Sequence, residues 1–584
     1  MATRPILSTA PKPPADEREK LREYADKRYS SMVSTRQGQD ALWYEIAGLC
    51  LPTRSVQIVE NVKTNNKDAS RNSTIYDGHS IRAIEICANG MLSGLSSRHV
   101  PWFRLTLADT DLMAAYPVRR WLDDVETIMY AALAMSNFYE AALSCYLEMT
   151  AFGTAGCVMQ EHPARIMVCH PLTVGEYMIT VGEDALPDSM ARAYQLTTRQ
   201  IVERHLADSF DSTVIHWDRA TQAVKTAWEA GNYEQLFTVR QLIEPNAAYV
   251  PGKIGAKGKR WRSLKWEPGQ SEKMKLLSLD GYHEQSFFAP RWETIAGEVY
   301  GTGRGHKALP DMRALQLQAK RKGQATDMAV KPPTMGPPSV DRVSMLSGRH
   351  TTVAAVDMNQ GIKPIYEIPW QVLQAVGEDV QDARKAVERM TFADLFMAIT
   401  NMEGVQPRTV EELVRRHEEQ LTQLGPVTDR ANGEMLKVVI DRVFGILHRG
   451  GALPPPPQEL AGGTEIEIDF ISVLAQAQKM MGLGQTERAL SVAGNLAGMI
   501  PDVLDNIDGD AVLTDYWERT GAPTIGLRDP KKRDEMRAQR QQQEAMKQAA
   551  EMAPAAQQTA DAAKLLSQAD TGAGGTMLDR ILPQ

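Results

Sequence analysis

The chain has 584 residues, 43% of them hydrophobic and 24% charged, which supplies apolar material for several packed cores and excludes a disordered chain. A formal net charge of −8 excludes a surface built throughout to grip nucleic acid, so that any DNA contact must be local. Five cysteines lie scattered without a Cys-x-x-Cys pair, "MATRPILSTAPKPPADEREK" lacks a signal-peptide core, and no stretch reaches the roughly 18 apolar residues of a membrane span; the expectation is a soluble intracellular chain with buried free thiols.

After a Pro-rich lead, residues 16–49 read as a helix ending near "LCLP", with Leu21, Tyr24, Trp43 and Ile46 available to pack. The polar, turn-rich "NVKTNNKDASRNSTIYDG" comes next. Residues 79–95 form an amphipathic helix, because Ile81, Ile84, Ala88, Met91, Leu92 and Leu95 recur at spacings of three and four. "VPWFRLTL" alternates in the manner of a half-buried strand. Two helices are expected within 117–152, parted near "MSNF", with Gly153 as the C-cap of the second. "GTAGCVMQEH", "RIMVCHPL" and "GEYMITVGED" then read as short strands, and strands recur from about 234 to 296. The polar insert "PGKIGAKGKRWRSLKWEPGQSEK" inside that region suggests an exposed hairpin.

A helix is expected from Leu309, with Met312, Leu315 and Ala319 on one side and Arg313, Gln316, Lys320, Gln324 and Asp327 on the other, punctuated by Pro332 and Pro333. The segment from there to about Pro364 is long and irregular, a length at which loops are functional or disordered. Beyond Trp370 one long helix, "VLQAVGEDVQDARKAVERMTFADLFMAI", leads into an almost wholly helical last third. "LPPPPQEL" breaks it as a linker, and the Gln- and Ala-rich tail from about 535 lacks apolar faces to hold it down.

Gly301-x-Gly303-x-Gly305 ahead of the Leu309 helix invites a phosphate-binding reading, since helix N-termini bind anions. The details do not fit a P-loop, because His306 follows Gly305 and Ala308 follows Lys307, nor a dinucleotide fingerprint, because Pro310 and Asp311 stand where a third glycine is wanted. A flexible lead into a helix needs no ligand. Eleven histidines fall in no His-Glu-x-x-His motif, and no Gly-x-Ser-x-Gly elbow is present, so no catalytic, cofactor or metal site is expected. "NIDGDA", with Asp505 just before it and Asp508 and Asp510 within it, lacks the end ligands of a calcium loop and reads as a capped turn. "KGKRWRSLKW" interleaves basic residues with Trp261 and Trp266, a pattern suited to nucleic acid or to a hairpin that contacts another protein.

Several segments taken together, in order, resemble the portal proteins, or head-to-tail connecting proteins, of short-tailed bacteriophages. They are "IYDGHSIRAIEICANGMLSGLSSRHVPWFRL", "MSNFYEAALSCYLEMTAFGTA", "RWETIAGEVYGTGRGHKALPDMRALQ", "KPPTM", "FISVLAQAQK" and "PDVLDNIDGDAVLTDYWERTGAP", with a Gln-rich basic tail after them. The resemblance covers about residues 15–545, and its co-linear order is more specific than any single motif.

The resemblance implies an α+β, predominantly helical subunit and a ring of about twelve copies, a dodecamer closed by heterologous contacts. It implies a disordered lead over 1–15, a mixed α/β wing over 16–230, a β-rich region including the clip over 231–300 and a stem helix over 301–332. It then implies a tunnel loop over 333–365, a long helix returning to the wing over 366–452, a helical crown over 453–535 and a flexible or helical tail over 536–584. Implied partners are double-stranded DNA in the channel, the terminase large subunit, the major capsid and scaffolding proteins and tail adaptors, at a virion vertex after synthesis in the bacterial cytoplasm. The channel cations would be Lys320, Arg321, Lys322, Lys331, Arg342 and Arg349, and Met312, Leu315 and Ala319 would pack between subunits. For Lys320, Arg321 and Lys322 a solvated helix face, whose cations suit a C-terminal dipole, remains the plain alternative. A nucleotide-dependent enzyme using Gly301–Gly305 and a scaffold without DNA contact are the other readings.

Overall fold

The computed structural model describes residues 15–54, 75–109, 112–113, 115–207, 214–269, 275–332, 334–335, 363–364, 368–400, 423–460, 466–472, 483–497, 508–513, 533–547 and 564. The chain divides into two units, Met1–Ala108 with Trp121–Ala489 and Asp109–Arg120 with Leu490–Gln584. No helix among the described residues is long and apolar enough to cross a membrane.

Helix α1 (Ala15–Cys50) has 36 residues, about 54 Å at 1.5 Å per residue, and is long enough to serve two cores. Ala25, Tyr29 and Met32 pack into one cluster, and Trp43, Ile46, Ala47 and Cys50 into another. Helix α2 (His79–Leu95) buries Ala83, Ile84, Cys87, Ala88, Met91 and Leu95, the face its spacing predicts, with Ile81 and Leu92 at the stripe's edges. Strand β1 (Phe103–Leu107) alternates buried and half-buried residues. Helices α3 (Tyr116–Met135) and α4 (Phe138–Phe152) part where expected. Gly153 ends α4 at φ 77°, a left-handed cap that glycine adopts without strain.

Strands β2 (Gly156–His162), β3 (Ile166–Leu172) and β4 (Tyr177–Val181) match the three expected segments. Strand β5 (Pro187–Thr197), helix α5 (Gln222–Glu229) and strands β6 (Leu236–Pro245), β7 (Trp261–Trp266), β8 (Ser278–Tyr282) and β9 (Phe287–Phe288) come after them. The strands form two antiparallel sheets, in the orders β3-β2-β9 and β4-β5-β6-β7-β8. Two expectations are corrected here. The boundary at residue 230 falls inside the five-stranded sheet, because β5 pairs with β6 along Met190–Thr197 and ties the two sides into one hydrogen-bonded layer. The polar insert is an exposed hairpin tip only in its first half, residues 251–260 between the antiparallel β6 and β7; its second half is the fourth strand of that sheet. Leu264 and Trp266 are fully buried under α1, and the Trp266 indole donates to Asp26 at 2.9 Å and meets Tyr29 edge to face. Trp266 therefore has no free ring face for a nucleic-acid base.

Helix α6 (Arg304–Val330) begins five residues before the expected Leu309 and holds Pro310 in its interior. Strands β10 (Thr334–Met335) and β11 (Lys363–Pro364) pair and close the base of the expected 333–365 loop, most of which lies outside the described residues. Helix α7 (Trp370–Thr391) packs along α6, so that the two form a hairpin. The single long helix expected beyond Trp370 is instead two, because Phe392 adopts φ 60° and separates α7 from α8 (Ala393–Thr400). That conformation is costly for a side chain with a Cβ. Two contacts hold it: the Arg304 guanidinium lies 3.5 Å from the Phe392 ring centroid, and the Trp292 ring stacks near it with centroids 6.5 Å apart.

Residues 423–431 are helical, widen through the turn Asn432–Leu436 and continue as α9 (Lys437–Arg449). The almost wholly helical last third also holds a strand. Strand β12 (Ile466–Phe470) pairs antiparallel with β1 across the chain, Phe103 opposite Phe470. The expected helical crown over 453–535 thus contains a strand belonging to the first unit. Helix α10 (Leu483–Ala497) comes next. In the second unit, Asp508 accepts from the backbone N–H groups of Asp510 and Ala511, which is the capped turn expected of "NIDGDA"; Asp505 lies outside the described residues. Asp510 is paired with Arg537 at 2.6 Å and Arg533 at 3.2 Å, so its carboxylate serves a helix-to-helix clamp. Helix 533–547 crosses the expected crown–tail boundary at 535. All five cysteines are buried and free.

Candidate nucleic-acid interface

The α6–α7 hairpin is built on a backbone contact that only glycine permits. A Cβ on Gly301 would meet the carbonyl of Gly153, one on Gly303 the backbone of Gly153 and Thr150, and one on Gly305 the carbonyl of Ala151. The three glycines therefore seat the start of α6 directly on the last turn of α4. This overturns the reading of a flexible lead. The amides here are also engaged: Gly301 N–H donates to Thr154 Oγ1 at 2.8 Å, Thr302 N–H to the Glu293 carbonyl at 2.7 Å and Gly303 N–H to His306 Nδ1 at 3.1 Å. Those donors face protein acceptors rather than a phosphate. Burial lowers the His306 imidazole to about 4, which keeps Nδ1 an acceptor at neutral pH.

From this seat the first half of α6 is covered by its own chain. Met312 and Leu315 are fully buried in the cluster that also holds Trp43, Ile46, Ile84, Val380 and Val387. They fill the protomer's own core, so the expected role of packing against a neighbouring subunit is corrected for both; Ala319 is half-buried. Gln316 accepts from the N–H groups of Tyr76 and Asp77 and donates to the Asp77 carbonyl at 2.7 Å. Asp77 in turn is paired with Arg384 of α7 at 2.9 Å, and His79 with Glu388 at 2.8 Å. Arg313 grips Glu45 of α1 through two bonds of 2.5 and 2.6 Å.

The second half of α6 is different. Lys320, Arg321, Lys322 and Lys331 are exposed, with Asp327 the only carboxylate between residues 317 and 331. None of these four cations makes an ion pair among the described residues; Lys320 lies 5.4 Å from the Tyr76 ring centroid. Arg342 and Arg349 lie outside the described residues. The structure thus brings Lys320, Arg321 and Lys322 onto the exposed second half of α6 and Lys331 to its C-cap, and four cations without ion pairs there suit phosphate contacts of low specificity.

Sequence reasoning missed the apolar residues left uncovered on the same hairpin. Leu317 is 49% exposed, Val330 72% and Trp370 73%. No periodicity identifies them, because Leu317 falls between two glutamines and Val330 and Trp370 stand at helix ends. The backbone seat was more legible: glycines every second residue, and a glycine closing α4, are the pattern that close approach of two backbones requires.

Compared with known families, residues 22–527 match the family described as "Bacteriophage head to tail connecting protein". The chain is 32% identical over 558 residues to the "Probable portal protein" of Bordetella phage BPP-1, covering 94% of this chain and 96% of that one. It is likewise 32% identical over 549 residues to the "Portal protein" of Salmonella phage epsilon15, covering 93% and 95%. Among solved structures, a chain of the virion of a native gene transfer agent particle matches with a TM-score of 0.32 and 11% identity, over 78% of this chain and 99% of that one.

Proposed function

The chain belongs to the bacteriophage head-to-tail connecting protein family, and on that footing we propose that it is the subunit of a portal ring at one capsid vertex. The observation that carries the reading is the length of the match: two portal proteins align over more than nine-tenths of the chain, so the likeness takes in both the sheets and the α6–α7 hairpin. The ring, of about twelve copies, passes double-stranded DNA inward under a separate terminase motor and outward on ejection, and it holds tail adaptors outside and capsid and scaffolding proteins around it.

Within that reading α6 and α7 are the stem, and the segment between β10 and β11 is the tunnel loop. At 27 residues α6 is about 40 Å long, sufficient to wall a channel across one turn of duplex DNA. Uncovered Leu317, Val330 and Trp370 supply apolar surface for a neighbouring copy, and Lys320, Arg321, Lys322 and Lys331 supply sparse phosphate contacts on a chain of net charge −8. Sparse contacts let DNA slide.

Electron microscopy of the purified protein tests the reading. Rings with a central hole of duplex width are expected, without added nucleotide. A stable monomer at micromolar concentration, or ATP hydrolysis by the protein alone, would count against it.

A further inference from the structure

One face of the five-stranded sheet carries a cationic band between two apolar clusters. Arg192 of β5 stands opposite Gln241 of β6, and Gln241 opposite Lys265 of β7, so the three form one cross-strand row. Two residues along each strand on one side are Met190 and Ile243 of the main core; on the other side are Tyr194 and Val239 of a second cluster. Arg192 is only 5% exposed, with Nε donating to Gln241 Oε1 at 2.9 Å and the guanidinium 4.4 Å over the Tyr194 ring.

Other cations converge on the row. Arg204 and His205 come from the wide turn Val202–Leu206, and His170 from β3. The charges of Arg192 and Arg204 act on Lys265 and on His170, and those of Lys265 and Arg204 act on His205. Two carboxylates lie near and offset part of this charge without pairing with the row: Asp280, which acts on Lys265, is paired with Lys259 at 2.7 Å, and Glu176, on which Arg192 acts, accepts from the Thr173 N–H at 3.0 Å. Among the described residues Arg192, Arg204 and Lys265 make no ion pair.

Three like charges gathered on a partly buried face, with no carboxylate in hydrogen-bond reach, disfavour one another's ionised forms. Burial and then Arg192 lower the Lys265 amine to about 8, and burial and then Lys265 lower the His205 imidazole to about 3. A tetrahedral anion seated among them would replace repulsion by charge-assisted hydrogen bonds.

We infer that this cluster is a binding site for a small oxyanion of the phosphate or sulfate class, with Arg192, Arg204 and Lys265 as its donors. Gln241 fixes the Arg192 fork by its Nε, and the terminal N–H groups that Tyr194 does not engage are left to the ligand. Lys265 supplies a point charge from the next strand but one. Neutral His205 and His170 add ring donors without further repulsion. An occupied site ties β3, the sheet and the Val202–Leu206 turn together.

The test uses the full-length assembled protein, titrated with inorganic phosphate or sulfate against sodium chloride at matched ionic strength, by calorimetry and thermal unfolding. Saturable binding and stabilisation by the oxyanions alone are expected. Arg204→Gln, at an exposed position that leaves folding intact, and Lys265→Gln should each weaken binding about tenfold, while Lys320→Gln leaves it unchanged. Sulfate keeps its charge between about pH 7 and pH 9, so its binding should weaken over that range as Lys265 loses its proton, the two histidines being already neutral. A short DNA duplex should not displace bound phosphate. Equal behaviour in phosphate and chloride, unchanged binding by both Gln variants, or displacement by the duplex would overturn the assignment. Because ring formation is read separately by microscopy, failure here leaves the portal reading untouched.

Discussion

Leu315 and Leu317 stand two residues apart on α6 and meet opposite surroundings. Leu315 is fully buried among residues of α1, α2 and α7, whereas Leu317 is 49% exposed. The same contrast runs along the whole helix. Residues 304–316 are seated on Gly153, bonded to Asp77 and Glu45 and packed into the main core; residues 317–331 carry bare cations and uncovered apolar side chains. One helix thus does two jobs, and the division between them falls at Gln316. The anchored half holds the protomer together, and under the proposed portal reading the uncovered half is left for neighbours and for DNA.

Substituting the two leucines alike gives the largest expected separation. Leu315→Asp removes a buried side chain and places a carboxylate in apolar surroundings, at a cost of at least about 4 kcal/mol, so the protomer itself should fail to fold. Leu317→Asp should change protomer stability by less than about 0.5 kcal/mol and instead weaken the ring. Limited proteolysis reads the first effect and sedimentation the second. Intact, protease-resistant Leu315→Asp rings would show that the two halves are not divided as described.

The next effect concerns the segment that feeds the glycine seat. Arg291, 4% exposed, is paired with Glu434 at 2.6 Å, and its backbone N–H also donates to that carboxylate at 2.8 Å. Arg291→Ala leaves Glu434 buried without its cation, a loss of about 3–5 kcal/mol. Replacing both residues by apolar ones of similar size should recover much of it, since no unpaired charge then remains. Denaturant unfolding of the single and double variants measures the difference, and equal losses in both would point to packing rather than charge.

How much of this could be read beforehand depends on the kind of interaction involved. Local periodicity disclosed α2, the division of α3 from α4 and strands β2 to β4, because each declares itself within about 17 residues. Long-range pairing did not: β12 finds β1 some 360 residues away, and "WRSLKW" looks exposed until β6 supplies its partner. The break at Phe392 was equally hidden, since the contacts on the left-handed Phe come from Arg304 and Trp292, about 90–100 residues earlier in the chain. For the candidate site, the cations of α6 were legible as charges on a helix. Which apolar residues are covered was not, because α1 and α7 decide it from far along the chain.

Acid tests the anchored half with a smaller effect. The folded His306 imidazole titrates near 4, below its ordinary 6.5, so between those values the unfolded chain binds more protons than the folded one. Stability from this group is full above about pH 6.5 and is lost as pH falls toward 4, roughly 3 kcal/mol in all, because protonation places a charge in a buried site and also removes the acceptor for Gly303 N–H. His306→Gln, which keeps an acceptor without titrating, should flatten that part of the profile. An unchanged pH profile would remove His306 from the seat.

The smallest effect on the protomer, and the sharpest test of the uncovered half, comes from its charges. Replacing Lys320, Arg321, Lys322 and Lys331 together by Gln preserves helix propensity closely and touches no ion pair among the described residues, so folding should change by less than about 0.5 kcal/mol and rings should form. The response to DNA is where a change is expected. Every phosphate that is no longer neutralised lowers the slope of log affinity against log salt by about 0.9, so retention of DNA should become weaker and less sensitive to salt. The plain alternative, a solvated helix face, predicts no change in either. Packaging and release assays across a salt series separate the two, and the ring images taken on the same samples keep them independent of assembly. If the rings are lost while salt dependence is retained in the remaining particles, then these side chains face a neighbouring subunit, and the cations of α6 are interface residues rather than channel residues.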